Sequence, residues 1–207
     1  SKQPATDQHP DHDGSLGDAL IKEIYEALRA SPIWKEAAFV ITYDEHGGFY
    51  DHVVPPYNVP NPDGINSTDD PFDFTRLGIR VPSVVASPWV AKGTLLHAPD
   101  YSGIEETPSQ YEHSSIISTF LHNVFQPAEG YKAPEYLTKR DAWAKSFHSI
   151  FTTLTEPRDD CPMTLPNIVS HSQLAPGAIP DQDGTLPLTH LQKELITIMA
   201  GVIEDES

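Results

Sequence analysis

Cysteine is almost absent from this sequence, which carries a single thiol, Cys161, among its 207 residues. One cysteine excludes an intrachain disulfide framework and a zinc site built from several cysteines. Long apolar runs are absent as well, because no stretch approaches the roughly 20 apolar residues of a membrane-spanning helix. The sequence therefore predicts no transmembrane segment.

Basic residues are scarce, since 13 Lys and Arg stand against 30 Asp and Glu, for a formal net charge of −17 with His neutral. Binding to a nucleic acid backbone needs clustered Lys and Arg, and electrostatic docking on an anionic membrane needs the same. The charge balance therefore argues against nucleic acid as a partner. It suits divalent cations, because carboxylate oxygens are the ligands that these hard ions prefer.

Apolar residues make up 38% of the chain, which is enough for a packed core. Their spacing predicts helices at residues 16–29, 116–125, 141–151 and 190–199, and strands buried on both faces at residues 38–43 and 81–86. The 20 prolines and 12 glycines cluster at residues 55–71, 127–134 and 157–187, which predicts long loops. Strands that alternate with helices indicate an α/β fold with a mostly parallel sheet.

The most informative polar segment follows the first predicted strand directly. Residues 44–52, DEHGGFYDH, contain five Asp, Glu or His among nine, and we call them the acidic loop. In open α/β sheets, ligands bind at the carboxyl ends of strands. Asp44 and Glu45 repel each other unless a cation or a proton lies between them, which favours a shared divalent ion. The alternative is a solvated acidic turn. Asp51 and His52 form a second pair, able to bind metal or phosphate or to hold the turn.

Two further clusters leave alternatives open. Residues 7–13 hold His9 among acids and either bind metal or phosphate or form an acidic terminus with a helix cap. In residues 111–115, YEHSS, either Ser114 or Ser115 caps the following helix beside an incidental His113, or His113 is a neutral ligand. Four aromatic side chains either line a pocket or pack in the core. They are Phe49, Tyr50, Tyr57 and Trp89.

Residues 42–53, TYDEHGGFYDHV, resemble the hallmark segment of the phosphoesterase family. That family includes plant non-specific phospholipases C, bacterial phosphatidylcholine-hydrolysing phospholipases C and related acid phosphatases. The YEHSS segment resembles a later motif of the family. Further stretches fit in the same order, at residues 7–10, 31–34, 80–82, 87–89, 137–143 and 160–162. The resemblance covers roughly residues 1–165 and is closest to the plant-type branch.

The resemblance implies an alkaline-phosphatase-like layered α/β sandwich that hydrolyses a phosphodiester or a phosphomonoester. It implies a phospholipid or another phosphate ester as substrate, and no organic cofactor. Residues implied for catalysis are His9, Asp44, Glu45 and His113, and those for substrate binding are Asp51, His52 and Glu112. Asp44 and Glu45 are also the implied ligands of a divalent metal, namely Ca²⁺, Mg²⁺ or Mn²⁺.

Two family features are missing from these residues: an opening segment of the Glu-Asn-Arg-Ser-Phe-Asp-His type and the Ser or Thr nucleophile. We therefore interpret residues 1–165 as the C-terminal half of a phosphoesterase catalytic domain, truncated at its N-terminus. Residues 166–207 are predicted to form a Pro-rich loop and a terminal helix. We expect catalysis to need the missing half. We also expect a truncated sheet to favour that half, or a second copy, as a partner.

Three functions remain open at this level. The first is phospholipase C-like cleavage of glycerophospholipids, and the second is hydrolysis of phosphomonoesters as in acid phosphatases. The third is a non-catalytic remnant that binds a ligand or partner, which the missing nucleophile favours. Residues 1–18 are polar and contain no signal-peptide pattern, so the sequence assigns no compartment.

Overall fold

The computed structural model describes residues 6–10, 13–68, 71–97, 109–124 and 136–169. The chain divides into two compact units, one formed by Ser1–Glu23 with Pro166–Ser207 and the other by Ile24–Leu165. The helix predicted at residues 190–199 lies outside the described residues.

Most secondary-structure elements in these ranges are short. In chain order they are α1 Gly14–Ala30, a 3-10 turn Pro32–Glu36, β1 Phe39–Thr42, β2 Ser83–Ala86, α2 Ser114–Thr119, a π-helical turn Phe120–Val124, α3 Lys139–Trp143 and a 3-10 turn His148–Phe151. Helix α1 confirms the helix predicted at residues 16–29. No helix within the described ranges is both long and apolar enough to cross a membrane.

The two predicted strands are present, and they pair with each other. β1 and β2 run antiparallel, with Phe39 opposite Ala86 and Thr42 opposite Ser83. The parallel order predicted for the sheet is therefore wrong for this pair, because a run of apolar residues carries no information about strand direction. Complete burial is wrong as well, since β1 is only half-buried and the first two residues of β2 are exposed.

Between the two strands, the segment that follows the acidic loop pairs antiparallel with the segment that precedes β2. Tyr57 forms an isolated bridge with Arg76. The amide of Val59 donates to the carbonyl of Thr75 (2.9 Å), and the amide of Leu77 donates to that of Pro56 (3.0 Å). This pairing brings the residues just after the acidic loop beside the residues just before β2.

The helix predicted at residues 141–151 is broken into α3 and the 3-10 turn. The amides of Lys145 and Phe147 donate instead to the carbonyl of Gln110 and the hydroxyl of Thr119, each at 2.9 Å. These distant partners replace the i→i−4 bonds that would continue the helix. Residue 144 accordingly has an extended ψ of 134°. The tertiary contacts therefore override the apolar periodicity on which the prediction rested.

Helix α2 begins at Ser114, near the predicted start, and continues into the π-helical turn. The predicted serine cap is wrong, because Ser114 and Ser115 both lie inside the helix and His113 occupies the cap position. The hydroxyl of Ser115 accepts from the amide of Glu112 (3.0 Å). The serine thus bonds back to the turn that precedes it, which orients the neighbouring Glu112 and His113.

Two clusters of buried side chains form the core of the second unit. One contains Tyr25, Trp34 and Cys161, with the two rings in an edge-to-face contact at 5.7 Å between centroids. The other contains Val90, Phe147 and Ile150. Strand residues reach both clusters from the side, Ala86 packing on the first and Val85 on the second. The core therefore holds β2 firmly at its C-terminal end.

Candidate active site

The acidic loop leaves β1 through a tight turn. Gly47 and Gly48 have φ angles of 66° and 75°, in the left-handed region that glycine adopts at no steric cost. The amide of Phe49 closes the turn on the carbonyl of His46 (3.2 Å). The two glycines therefore permit a turn that most other residues would make only with strain.

Asp44 and Glu45 are exposed, and within the described part of the chain their carboxylates accept hydrogen bonds from their own loop. An Asp44 carboxylate oxygen accepts from the Glu45 amide (3.1 Å), and a Glu45 carboxylate oxygen accepts from the Gly47 amide (2.8 Å). Each acid therefore keeps one carboxylate oxygen outside these bonds. The pair is available to a ligand in a way that a buried structural acid is not.

His113 anchors the start of the acidic loop from a distant segment. Its Nε2 lies 2.7 Å from the carbonyl oxygen of Tyr43, the residue directly before Asp44. A carbonyl only accepts, so Nε2 must carry the proton and donate it. In the neutral imidazole, Nδ1 is then the atom with a free lone pair. The structure thus brings the YEHSS segment to the residue that directly precedes the acidic loop.

Arg80 anchors the end of the acidic loop. Its Nε and Nη2 donate to the two carboxylate oxygens of Asp51 at 2.6 and 2.8 Å. Asp51 also accepts from the amide of Val53 (3.1 Å), and His52 Nδ1 lies 3.5 Å away. The hydrogen bond from Arg80, followed by that from Val53, lowers the pKa of Asp51 from 3.8 to about 2. Asp51 is therefore ionised and already engaged at neutral pH.

Glu112 differs from the other predicted acids of the site because part of its carboxylate is buried. Among the described residues, its Oε1 is one of two buried side-chain atoms with no hydrogen-bond partner. A buried acceptor without a donor is costly, so such an atom marks a position where a ligand or another donor would be favoured.

His9 lies in the first unit, whereas the other predicted site residues lie in the second. Its side chain is exposed, and its backbone amide donates to the carboxylate of Asp7 (2.9 Å). Its assignment to the site stays a prediction.

Three of the four aromatic side chains that the sequence singled out are largely exposed. Phe49, Tyr50 and Tyr57 are 68%, 90% and 60% exposed. Trp89 is half-buried, and its indole nitrogen donates to the carbonyl of Lys35 (2.7 Å). Core packing is therefore the wrong interpretation for the first three.

Arg80 and the carbonyl of Tyr43 were not among the predicted site residues, yet both lie in contact with them. These contacts could not be predicted without knowing how the two strands pair. Arg80 lies three residues before Ser83, which faces Thr42 across the sheet. Only the antiparallel pairing of β1 and β2 puts that position next to the acidic loop.

The fit of a divalent metal to these residues is partial. Within the described ranges, no group of three or more His, Cys, Asp or Glu side chains could hold a metal ion. The two uncommitted oxygens of Asp44 and Glu45 are fewer than the roughly six ligands that Mg²⁺ or Ca²⁺ requires. These residues alone do not form a complete metal site.

Comparison with known proteins agrees with the motif. The sequence profile of the phosphoesterase family matches residues 1–126, more than half of the chain. The chain belongs to the phosphoesterase family. As an α/β phosphoesterase, it places the family's hallmark segment in an exposed loop at the end of a strand.

Three relatives illustrate the similarity of this phosphoesterase to named proteins. Non-specific phospholipase C5 of Arabidopsis thaliana is 48% identical over 204 residues, which are 98% of this chain and 36% of the relative. Non-specific phospholipase C1 of the same plant is 47% identical over 206 residues, with the same coverages. Phospholipase C A of Mycobacterium tuberculosis is 28% identical over 191 residues, 87% of this chain and 32% of the relative. The chain therefore spans about a third of the length of these relatives.

Proposed function

We propose that this chain is the part of a phospholipase C-type phosphoesterase that carries the acidic loop. The reaction adds water across the phosphodiester of a glycerophospholipid and gives diacylglycerol and a phosphorylated headgroup. Residues 1–165 contribute to the catalytic domain, in an alkaline-phosphatase-like sandwich. The nucleophile and the rest of the sheet come from outside this chain.

The observation that carries the proposal is the state of Asp44 and Glu45. Both lie in the segment that resembles the family's hallmark, both are exposed, and each keeps one carboxylate oxygen outside its hydrogen bonds to the described residues. Carboxylates repel a phosphate directly, so they act on it through a proton or a cation. A divalent ion bound with further ligands from the missing part would supply that positive charge.

His113, His9 and Glu112 complete the proposal. With Nε2 donating to Tyr43, His113 holds the acidic pair in place and offers Nδ1 as a proton acceptor. His9 would contact the phosphate or protonate the leaving oxygen. Glu112, whose buried Oε1 has no donor in the described part of the chain, would meet one contributed by the substrate or by the missing residues.

Hydrolysis assays on the longest natural form of the protein test this function. Phosphatidylcholine in mixed micelles is the diester substrate, and a soluble phosphomonoester serves as the comparison. We expect Asp44→Asn and Glu45→Gln each to lower kcat by about 100-fold or more. Glu156→Gln changes another exposed acid, which lies outside the loop, and should leave kcat unchanged.

The outcomes separate the three functions. Diester hydrolysis that Asp44→Asn abolishes supports the proposal. Faster hydrolysis of the monoester would indicate a phosphatase on the same scaffold. Binding of phospholipid without hydrolysis in the wild type would indicate a non-catalytic protein. We expect the 207-residue chain to be inactive by itself and to associate with the missing part or with a second copy.

A further inference from the structure

We propose that Arg80 is a positioning residue of the active site, which fixes the end of the acidic loop through Asp51. The inference rests on the proposed function, because the loop it concerns carries Asp44 and Glu45. It also changes the expected role of Asp51, which would serve the site by holding Arg80 and not by contacting substrate.

The contact between Arg80 and Asp51 is bidentate. Two parallel N–H groups of the guanidinium meet the two carboxylate oxygens at 2.6 and 2.8 Å. Such a fork fixes the orientation of both groups as well as their separation, which a single hydrogen bond or a lysine does not do. The side chain of Asp51 is only 12% exposed, so the contact is partly sheltered from water although Arg80 is 54% exposed.

Asp51 has little capacity left for substrate. Both of its oxygens accept from Arg80, and one also accepts from the amide of Val53 at 3.1 Å. His52 Nδ1 lies 3.5 Å from the same oxygen. A phosphate brought to this carboxylate would meet negative charge and would have to displace an arginine already in place.

Arg80 itself is held between two paired segments. On one side, the Leu77 amide bonds to the Pro56 carbonyl at 3.0 Å. On the other, Ser83 begins β2, and its hydroxyl lies 2.8 Å from that of Thr42. The backbone around Arg80 is therefore attached to the chain on both sides of the acidic loop. Because that backbone is fixed, the side chain of Arg80 holds Asp51 at a fixed position.

The acidic loop is thus anchored from outside at both of its ends. His113 holds the carbonyl of Tyr43, just before the acidic pair, and Arg80 holds Asp51, just after the glycine turn. Between these anchors, the hydrogen bonds that the Asp44 and Glu45 carboxylates make with described residues lie within the loop. Release of one anchor should let the pair shift without unfolding the protein.

The competing interpretation is a surface ion pair without effect, since exposed pairs often contribute nothing measurable. Steady-state assays on the longest natural form distinguish the two, with Arg80→Gln, Arg80→Lys, Asp51→Asn and the double variant Arg80→Gln/Asp51→Asn. Arg76→Gln is the matched control, because Arg76 lies in the same segment but stacks on Phe72, 5.1 Å from the ring centroid.

We expect Arg80→Gln and Asp51→Asn each to lower kcat on the order of 100-fold, as for a small misplacement of reacting groups, with KM changed less than about 3-fold. The double variant should be no slower than either single variant, because the two residues act as one unit. Arg80→Lys should recover part of the loss, and Arg76→Gln should behave as wild type.

A wild-type kcat in Arg80→Gln would overturn the proposal. A rise in KM alone, in Asp51→Asn but not in Arg80→Gln, would also overturn it, because that pattern belongs to a substrate contact. Circular dichroism checks that the variants fold. If Arg80→Gln does not fold, the kcat of Arg80→Lys tests the proposal in its place.

A second measurement keeps this inference separate from the proposed function. In the 207-residue chain, amide hydrogen exchange at Gly47 and Val53 should accelerate about 10-fold in Arg80→Gln and not in Arg76→Gln. If the wild type hydrolyses no phosphate ester, the proposed function fails while this measurement still tests the anchor. Unchanged exchange would then overturn the role of Arg80.

Discussion

Two carboxylates of this protein differ completely in their surroundings. Asp141, at the start of α3, is 1% exposed and accepts from the amides of Leu137 and Thr138 and from the Thr138 hydroxyl. Asp44, in the acidic loop, is exposed and accepts from the amide of Glu45. Asp141 is used by the fold as one half of a capping box. Asp141 is therefore committed to stabilising the fold, whereas the exposed Asp44 is available to a ligand.

The same contrast separates two phenylalanines. Phe147 is 8% exposed and meets the rings of Phe120 and Phe151 at 6.1 and 6.4 Å between centroids. Phe49, at the turn of the acidic loop, is 68% exposed. The cluster around Phe147 is therefore one of the packed, stabilising parts of the second unit, whereas Phe49 contributes little apolar burial.

The largest effect that tests this contrast is expected at the two phenylalanines. Phe147→Ala should lower the free energy of unfolding of the 207-residue chain by about 3 to 5 kcal/mol, because it removes a buried aromatic ring and leaves a cavity. Phe49→Ala should change it by less than about 0.5 kcal/mol. Urea titration followed by circular dichroism measures both. Equal losses would show that the acidic loop is part of the core.

Local patterns in the sequence were sufficient to locate α1, β1, β2 and the start of α2. They were not sufficient for contacts between distant residues. The predicted helix at residues 141–151 breaks because the amide of Phe147 donates to the hydroxyl oxygen of Thr119, 28 positions away. Nothing in the periodicity of residues 141–151 encodes that partner. The antiparallel direction of the strands escaped prediction for a related reason, since pairing is a long-range property.

A smaller effect is expected at the two aspartates. Asp141→Ala leaves the amides of Leu137 and Thr138 without their acceptor and removes the cap of α3, so it should lower the free energy of unfolding by about 2 to 4 kcal/mol. Asp44→Ala should lower it by less than about 0.5 kcal/mol. The same urea titration applies. A large loss in Asp44→Ala would indicate a structural role and would weaken its assignment to the active site.

The candidate site residues that could be predicted are those that lie in a recognisable motif. Asp44, Glu45 and His113 belong to segments that resemble a known family, and the structure brings these segments into contact through the carbonyl of Tyr43. Arg80 belongs to a shorter stretch, and its role depends on the bidentate contact with Asp51. A single arginine in an acidic sequence gives no sign of its partner until the strands are paired.

The smallest effect concerns pH and the anchor at Asp51. The pKa of Asp51 is lowered from 3.8 to about 2, chiefly by Arg80, so the folded state favours the ionised carboxylate. The resulting stabilisation is present above pH 3.8 and is lost as the pH falls through about 2. Urea midpoints of the wild type and Arg80→Gln should therefore differ by a constant amount above about pH 5 and converge between about pH 4 and pH 2. The pKa of Asp73 is lowered by its hydrogen bonds to Thr75, which Arg80→Gln leaves intact, so its contribution cancels in the comparison. A midpoint difference that persists unchanged at pH 2 would mean that Arg80 stabilises the fold through contacts other than the carboxylate of Asp51.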